Sequence, residues 1–132
     1  MPPTRLASCS CGQLTAQVSG DPVRVSICHC LACQRRTGGP FAQQARFPRE
    51  NVLTSGASTT FGRTGDEGST ATFHFCASCG VTVWYTAEGL DDFIIIPVGV
   101  FAEPGFPAPT VSVYEDRKHD WVLPPPDAEH HA

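Results

Sequence analysis

Short runs of alternating apolar and polar residues recur along most of the chain. In QLTAQVSG the apolar residues Leu14, Ala16 and Val18 alternate with polar ones, and DPVRVSI repeats the pattern. This two-residue period is typical of a strand with one buried face. Further runs of this kind are FAQQARF, NVLTSG, TTFGR, STATFHF, VTVWYT and FIIIPVGV, and turn-forming residues separate most of them. The pattern predicts a mostly β fold of short strands.

One segment departs from this period. HCLACQRR predicts a helix of about two turns, and Gly38 follows where a C-terminal cap would lie. After residue 101 the chain is rich in proline, so we expect an extended loop there, with one more strand or edge segment in VSVYEDRKHDW. We expect residues 5–123 to form a single domain and the tail 124–132 to be disordered.

Length and charge narrow the possible functions. With 132 residues the chain has room for one modest core, and 41% hydrophobic residues with 17% charged ones are typical of a globular protein. A formal net charge of −4 argues against a general nucleic-acid binder, which would need a basic surface. No apolar run approaches the roughly 20 residues of a membrane span, and the N-terminal residues lack the apolar region of a signal peptide. We therefore expect a cytoplasmic protein without nucleic-acid or membrane partners.

Seven cysteines in three groups carry the strongest chemical signal. In a reducing compartment such thiols are more often metal ligands than disulfides. Both sulfurs of a C-x-C pair in an extended segment face the same side, and a C-x-x-C followed by glycine is similar to a zinc knuckle. One C-x-C and one C-x-x-C together supply a complete set for a structural zinc: Cys9, Cys11, Cys76 and Cys79. The alternative is that these are ordinary buried thiols.

The remaining three thiols are one short of a closed tetrahedral site. Cys28, Cys30 and Cys33 lie within one loop, and three protein ligands with an open fourth position are typical of a catalytic zinc. His29 could close the site. Because it alternates with Cys28 and Cys30, we expect it to point away and to support the loop by packing.

Two other histidines are weaker candidates. His74 lies within the strand pattern TFHFC, where an exposed or hydrogen-bonded imidazole is the expected role. His119 has charged neighbours and is expected at the surface, although the C-terminal segment could bring it to the open site.

The motifs CSCG, CHCLACQRRTGGPF and FCASCG, in this order, resemble the glutathione-dependent formaldehyde-activating enzyme (GFA) family, which includes the centromere-protein-V-like proteins. The resemblance covers roughly residues 5–123. It implies a β-tent fold of stacked antiparallel sheets and two zinc ions. Cys9, Cys11, Cys76 and Cys79 match the family's structural zinc site, and Cys28, Cys30 and Cys33 match its catalytic one. The implied activity adds glutathione to formaldehyde and is classed, in reverse, as a carbon–sulfur lyase.

A glutathione pocket should contain cations or clustered backbone N–H groups, because glutathione carries two carboxylates. Arg35 and Arg36 follow the thiol loop and are candidate substrate-binding residues, as are Gly38 and Gly39, which allow close approach of a ligand. The alternative is that the arginines are solvated helix residues and the glycines only end the helix.

Three functions remain open from the sequence. The favoured one is a zinc-dependent lyase that joins glutathione, or a related thiol, to formaldehyde or another small aldehyde. The second is a noncatalytic zinc-binding module for protein or nucleic-acid partners, and the acidic charge disfavours the nucleic-acid version. The third is a thiol-based redox or metal-handling protein that uses Cys28, Cys30 and Cys33.

Overall fold

The computed structural model describes residues 2–65 and 67–132. Within them lie eleven strands and one α-helix, joined by turns and short 3₁₀ segments. In chain order they are β1 (Thr4–Ser8), β2 (Thr15–Ser19), β3 (Arg24–Cys28), α1 (Leu31–Thr37), β4 (Ala42–Pro48), β5 (Val52–Ser55), β6 (Thr59–Thr64), β7 (Thr70–Phe75), β8 (Thr82–Ala87), β9 (Phe93–Pro97), β10 (Val111–Val113) and β11 (Glu129–His130). The predicted mostly β fold with one short helix is confirmed.

The strands form two sheets. A three-stranded sheet has the order β1-β2-β5, and an eight-stranded sheet has the order β11-β10-β3-β4-β9-β8-β7-β6. Nearly all pairs are antiparallel, as expected, but β10 runs parallel to both β3 and β11. No helix in the described part of the chain is long and apolar enough to span a membrane.

One face of the large sheet packs against the small sheet and forms the main core. The alternation predicted for β2 and the residue before it is confirmed, because Leu14, Ala16 and Val18 are all buried in this core. Phe47 of β4 and Ile96 of β9 meet them from the large sheet. Since side chains alternate along a strand, the residues between these core positions point to the opposite face of the large sheet. That opposite face holds the candidate site.

Helix α1 has a cap at each end, and the one at its C-terminus is the cap that the sequence predicts. Its N-cap is Cys30, whose sulfur accepts a hydrogen bond from the backbone N–H of Cys33 at 3.3 Å. At its end Gly38 has φ 73° and donates its N–H to the carbonyl of Gln34 at 2.8 Å. This left-handed cap is easily adopted by glycine, so the predicted helix end is confirmed.

The C-terminal tail differs from the expected disorder. Residues 129–130 form β11 beside β10, and Ala128 before them is buried. The N–H of His131 donates to the carbonyl of Ser112 at 2.9 Å, and His130 Nδ1 lies 2.6 Å from Glu115 Oε2. These contacts are all with residues far away in the sequence, so no local pattern could reveal them.

Candidate functional site

The first candidate metal site consists of four thiols that follow the ends of β1 and β7. Their sulfur atoms all lie within 4.8 Å of one another: Cys9, Cys11, Cys76 and Cys79. Cys11 Sγ lies 3.6 Å from both Cys9 Sγ and Cys76 Sγ. Four converging sulfurs match the donor set of a closed tetrahedral metal site. This cluster can therefore hold a metal ion.

N–H groups point at these sulfurs. The backbone N–H of Leu14 donates to Cys9 Sγ at 3.3 Å, and Gln13 Nε2 donates to Cys76 Sγ at 3.1 Å. The bond from Gln13 lowers the pKa of Cys76 to about 6. Gly80, with φ 80°, completes the tight turn by donating its N–H to the carbonyl of Cys76 at 2.7 Å. The surroundings of Cys76 thus favour the thiolate form, which is the form that binds metal.

The second candidate site is the three-thiol cluster of Cys28, Cys30 and Cys33. Cys28 ends β3, Cys30 caps helix α1, and Cys33 lies in the first turn of that helix. All three sulfurs lie within 4.8 Å of one another, with Cys28 and Cys33 buried and Cys30 half-buried. The strand-to-helix transition brings them together. Three soft donors fit an ion such as zinc and leave a fourth position for another ligand.

Charge around this cluster also favours a thiolate. Hydrogen bonding to Cys28 lowers the pKa of Cys33 to about 5, and the guanidinium groups of Arg36 and Arg63 act in the same direction. The contact with Cys33, together with burial, raises the pKa of Cys28. The hydrogen bond from Cys28 and the two nearby arginines therefore favour the thiolate form at Cys33.

His29 does not join the thiols that flank it. Its side chain is fully buried, and Nε2 lies 3.0 Å from Ser112 Oγ in β10. Its backbone N–H donates to the carbonyl of Val113 at 3.1 Å. The expectation that His29 points away and supports the loop agrees with this arrangement.

The other two histidines also lie outside both thiol clusters. His74 stacks on Trp84 with ring centroids 3.6 Å apart, and its Nδ1 lies 2.9 Å from Ser58 Oγ. His119 is exposed and contacts Gln34 of α1, with Nε2 3.1 Å from Oε1. Both imidazoles have local hydrogen-bond partners, as expected for residues outside a metal site.

A cavity of about 580 Å³ lies between α1 and strands β6 to β8. Arg35 and Arg36, predicted from the sequence, line it together with Arg63 and the rings of Phe61 and Phe73. The other predicted substrate residues, 38 and 39, are not among its lining residues. Its size is within the range of small-molecule sites, and its walls combine aromatic surface with cations.

Arg63 is the functional candidate that sequence reasoning missed. Its guanidinium group lies 5.2 Å from the centroid of Phe73, and that of Arg36 lies 4.9 Å from the same ring. Within the described residues neither arginine pairs with a carboxylate. The only sequence signal was its position in the strand pattern TTFGR, which does not specify a partner strand. Two cations near one ring, without a carboxylate partner, could attract an anionic ligand.

Comparisons with known proteins agree with this geometry. A sequence model of the family described as "Glutathione-dependent formaldehyde-activating enzyme" matches residues 4–117, which is most of the chain. A crystal structure of a Rhodobacter sphaeroides protein is similar in fold, with a TM-score of 0.56 at 20% identity over 76% of this chain and 88% of that one. Among curated proteins no sequence matches at a significant level. On the family match, the chain belongs to the glutathione-dependent formaldehyde-activating enzyme family.

Proposed function

We propose that this protein is a zinc-dependent enzyme that adds glutathione, or a related thiol, to formaldehyde or another small aldehyde. In the reverse direction it would be a carbon–sulfur lyase. The observation that carries the proposal is the position of the three-thiol cluster. It adjoins a cavity with three arginines, while four other thiols form a complete metal site among themselves.

The proposal assigns a different role to each cluster. Zinc held by the four-thiol cluster would be structural and would tie β1 to the β7–β8 hairpin. Zinc held by Cys28, Cys30 and Cys33 would be catalytic. There it would supply a positive centre that stabilises a sulfur or oxygen ligand at the fourth position.

The residues of the cavity would bind and orient the substrate. Arg35, Arg36 and Arg63 would pair with the carboxylates of the thiol, and Phe61 and Phe73 would cover its aliphatic part. Bond formation joins the thiol sulfur to the aldehyde carbon, and the carbonyl π electrons move onto oxygen. Among the described residues no His, Asp or Glu lines this cavity. The thiol proton would therefore pass to solvent, and a solvent proton would complete the new hydroxyl group.

The proposed setting is the cytoplasm, because free thiols remain reduced there. The partners would be small molecules. The arginine-lined cavity favours an enzyme over a noncatalytic zinc module or a redox protein, since neither of those functions requires an anion-binding cavity beside the thiols.

Two measurements test the proposal. Metal analysis should return about two zinc ions per chain, one for each cluster. Exchange NMR with ¹³C-formaldehyde and glutathione should show the adduct forming faster than in the uncatalysed mixture. Cys30→Ser should return the rate to background with the fold retained, and Cys76→Ser should unfold the chain. One zinc per chain, or no rate above background in the zinc-loaded protein, would contradict the proposal.

A further inference from the structure

A second, smaller cavity of about 130 Å³ lies on the face of the large sheet that carries Cys28. Strands β3, β4 and β8 supply most of its polar lining. These residues are Arg24, Ser26, Gln44, Arg46 and Tyr85. Among the residues that the structure describes, no Asp or Glu lines it. The cavity is thus polar and positively charged.

Two arginines lie side by side in the lining of this cavity. Arg24 of β3 lies directly opposite Arg46 of β4 in the antiparallel register, where like charges destabilise a sheet. Neither forms an ion pair within the described residues, and the buried Nε of Arg24 has no hydrogen-bond partner there. Arg46 lies 5.6 Å from the centroid of Phe93, which attracts its charge but does not neutralise it. Burial and the charge of Arg24 lower the pKa of Arg46. An anion between the two guanidinium groups would remove this repulsion.

Two buried hydroxyl groups add donors. Ser26, only 6% exposed, accepts a hydrogen bond from Gln44 Nε2 at 2.9 Å, so its own proton is free to donate. Tyr85 is 8% exposed, and burial raises its pKa, so its hydroxyl stays protonated. Gln44 Oε1, an acceptor, has no partner in the described residues and could bind an N–H or O–H of the same ligand. Two cations and two hydroxyl donors match the two oxygens of a carboxylate.

This cavity adjoins the three-thiol cluster. Ser26 and Cys28 are two residues apart on one face of β3, so their Cα atoms are about 7 Å apart. Val113 lies opposite Cys28, packs against the thiols and also lines the cavity. On its other side Tyr85 faces Arg36 of the larger cavity, whose guanidinium group is 5.4 Å from the ring. A carboxylate held here would lie beside the three-thiol cluster, with Val113 next to both.

We propose that the smaller cavity is a carboxylate subsite of the reaction centre; its role in turnover rests on the proposed function. At about 130 Å³ it holds a carboxylate group with one or two carbons but no whole peptide thiol. The carboxylate comes from one of two sources. It belongs either to an arm of the thiol whose remainder fills the larger cavity, or to the aldehyde, which is then a short oxo acid.

Binding is tested without turnover. The zinc-loaded, ¹⁵N-labelled protein is titrated with acetate and, separately, with acetamide, which has the same shape without the charge. Acetate should shift the Nε–H signals of Arg24 and Arg46 saturably, and acetamide should not. Arg46→Gln should weaken acetate binding about tenfold or more, since it removes a charged hydrogen bond. Arg49→Gln is the control, because Arg49 donates to the Asp91 carbonyl outside both cavities. This variant should bind acetate as tightly as the unaltered protein does. Absence of saturation, equal shifts with acetamide, or equal affinity of both variants would overturn the proposal.

Turnover then distinguishes the two sources. If the aldehyde carries the carboxylate, Arg46→Gln should raise KM for glyoxylate and leave KM for formaldehyde unchanged. If the thiol carries it, the variant should raise KM for glutathione and spare 2-mercaptoethanol. If Arg46→Gln leaves KM unchanged for both aldehydes and both thiols, the cavity has no role in turnover. No turnover by the unaltered protein, with acetate binding retained, would instead overturn the proposed function and leave the carboxylate site standing.

Discussion

The imidazole of His29 and the hydroxyl of Ser112 are both fully buried, and His29 Nε2 lies 3.0 Å from Ser112 Oγ. This contact joins the segment between two candidate metal ligands, Cys28 and Cys30, to β10, 83 residues later in the chain. His29 therefore contributes to the site through loop position. Its neighbours Cys28 and Cys30 supply the sulfurs.

Removing that contact should destabilise the fold. Ser112→Ala leaves a buried imidazole nitrogen unpaired, so we expect the free energy of unfolding to fall by about 1–3 kcal/mol. Urea denaturation of the zinc-loaded protein measures this loss of unfolding free energy. Ser58→Ala is a matched control, because Ser58 contacts His74 Nδ1 at 2.9 Å in an exposed position, where the loss should be below about 0.5 kcal/mol. Equal losses in the two variants would show that burial of the His29 contact adds nothing.

Arg63, whose role the sequence did not predict, should increase the affinity for glutathione. Arg63→Met replaces the guanidinium group beside Phe73 with an uncharged, unbranched side chain. We expect KM for glutathione to rise about tenfold, because a charge-assisted hydrogen bond to a carboxylate is lost. KM for 2-mercaptoethanol, which has no carboxylate, should stay the same. A similar change for both thiols would indicate a structural effect of the substitution.

Gly56 should be intolerant of any side chain. It has φ +97°, and a Cβ there would lie 1.8 Å from the carbonyl oxygen of Gln13, the residue that also donates to Cys76 Sγ. Gly56→Ala should therefore both destabilise the protein, by about 3 kcal/mol or more, and loosen the four-thiol cluster. Thermal denaturation and zinc retention against a chelator measure the two effects.

The matched variant is Gly89→Ala. Gly89 has a similar φ of +83°, but a Cβ would meet nothing within 4 Å. Only backbone strain of about 1–2 kcal/mol is expected there, with zinc retention unchanged. If both alanine variants behave alike, the close approach of Gly56 to Gln13 is not what limits this position.

Docking of the tail should depend on pH. Hydrogen bonds from Ser112 and His130 lower the pKa of Glu115, and the bond with Glu115 raises the pKa of His130. The stability that ionised Glu115 gives to tail docking is lost as pH falls below 4.5, the ordinary pKa of a glutamate. The stability that protonated His130 gives is lost as pH rises through its raised pKa, above the ordinary 6.5 of a histidine. Protection of the tail's backbone amides from exchange should thus be greatest between pH 4.5 and pH 6.5.

Amide exchange of His131, whose N–H donates to the Ser112 carbonyl, reports on this docking. After correction for intrinsic exchange, protection should fall on both sides of the plateau. His130→Gln should abolish the fall on the alkaline side and keep the acidic one. An unchanged alkaline fall in that variant would assign it to another group.

Local patterns were enough to predict much of this protein. The C-x-C and C-x-x-C motifs place cysteines two or three residues apart. These spacings were enough to predict both thiol clusters from the sequence. Leu14, Ala16 and Val18 are buried as their alternation predicts, and Gly38 ends α1 through a conformation that glycine readily adopts. Each of these features depends on neighbours along the chain, except that Cys11 meets Cys76 across 65 residues.

Only the tertiary structure decided which charged side chains lie on the same face of the large sheet as Cys28. Arg24, Arg46 and Arg63 lie on three strands, and each looked like an ordinary polar strand position. Pairing of β3 with β4, and of β6 with β7, placed them on one face of the large sheet with Cys28. The strand formed by the tail, 124–132, arises in the same way. Strand register is set by the packing of distant segments, so the sequence determined the candidate metal ligands and the fold determined which arginines lie near them.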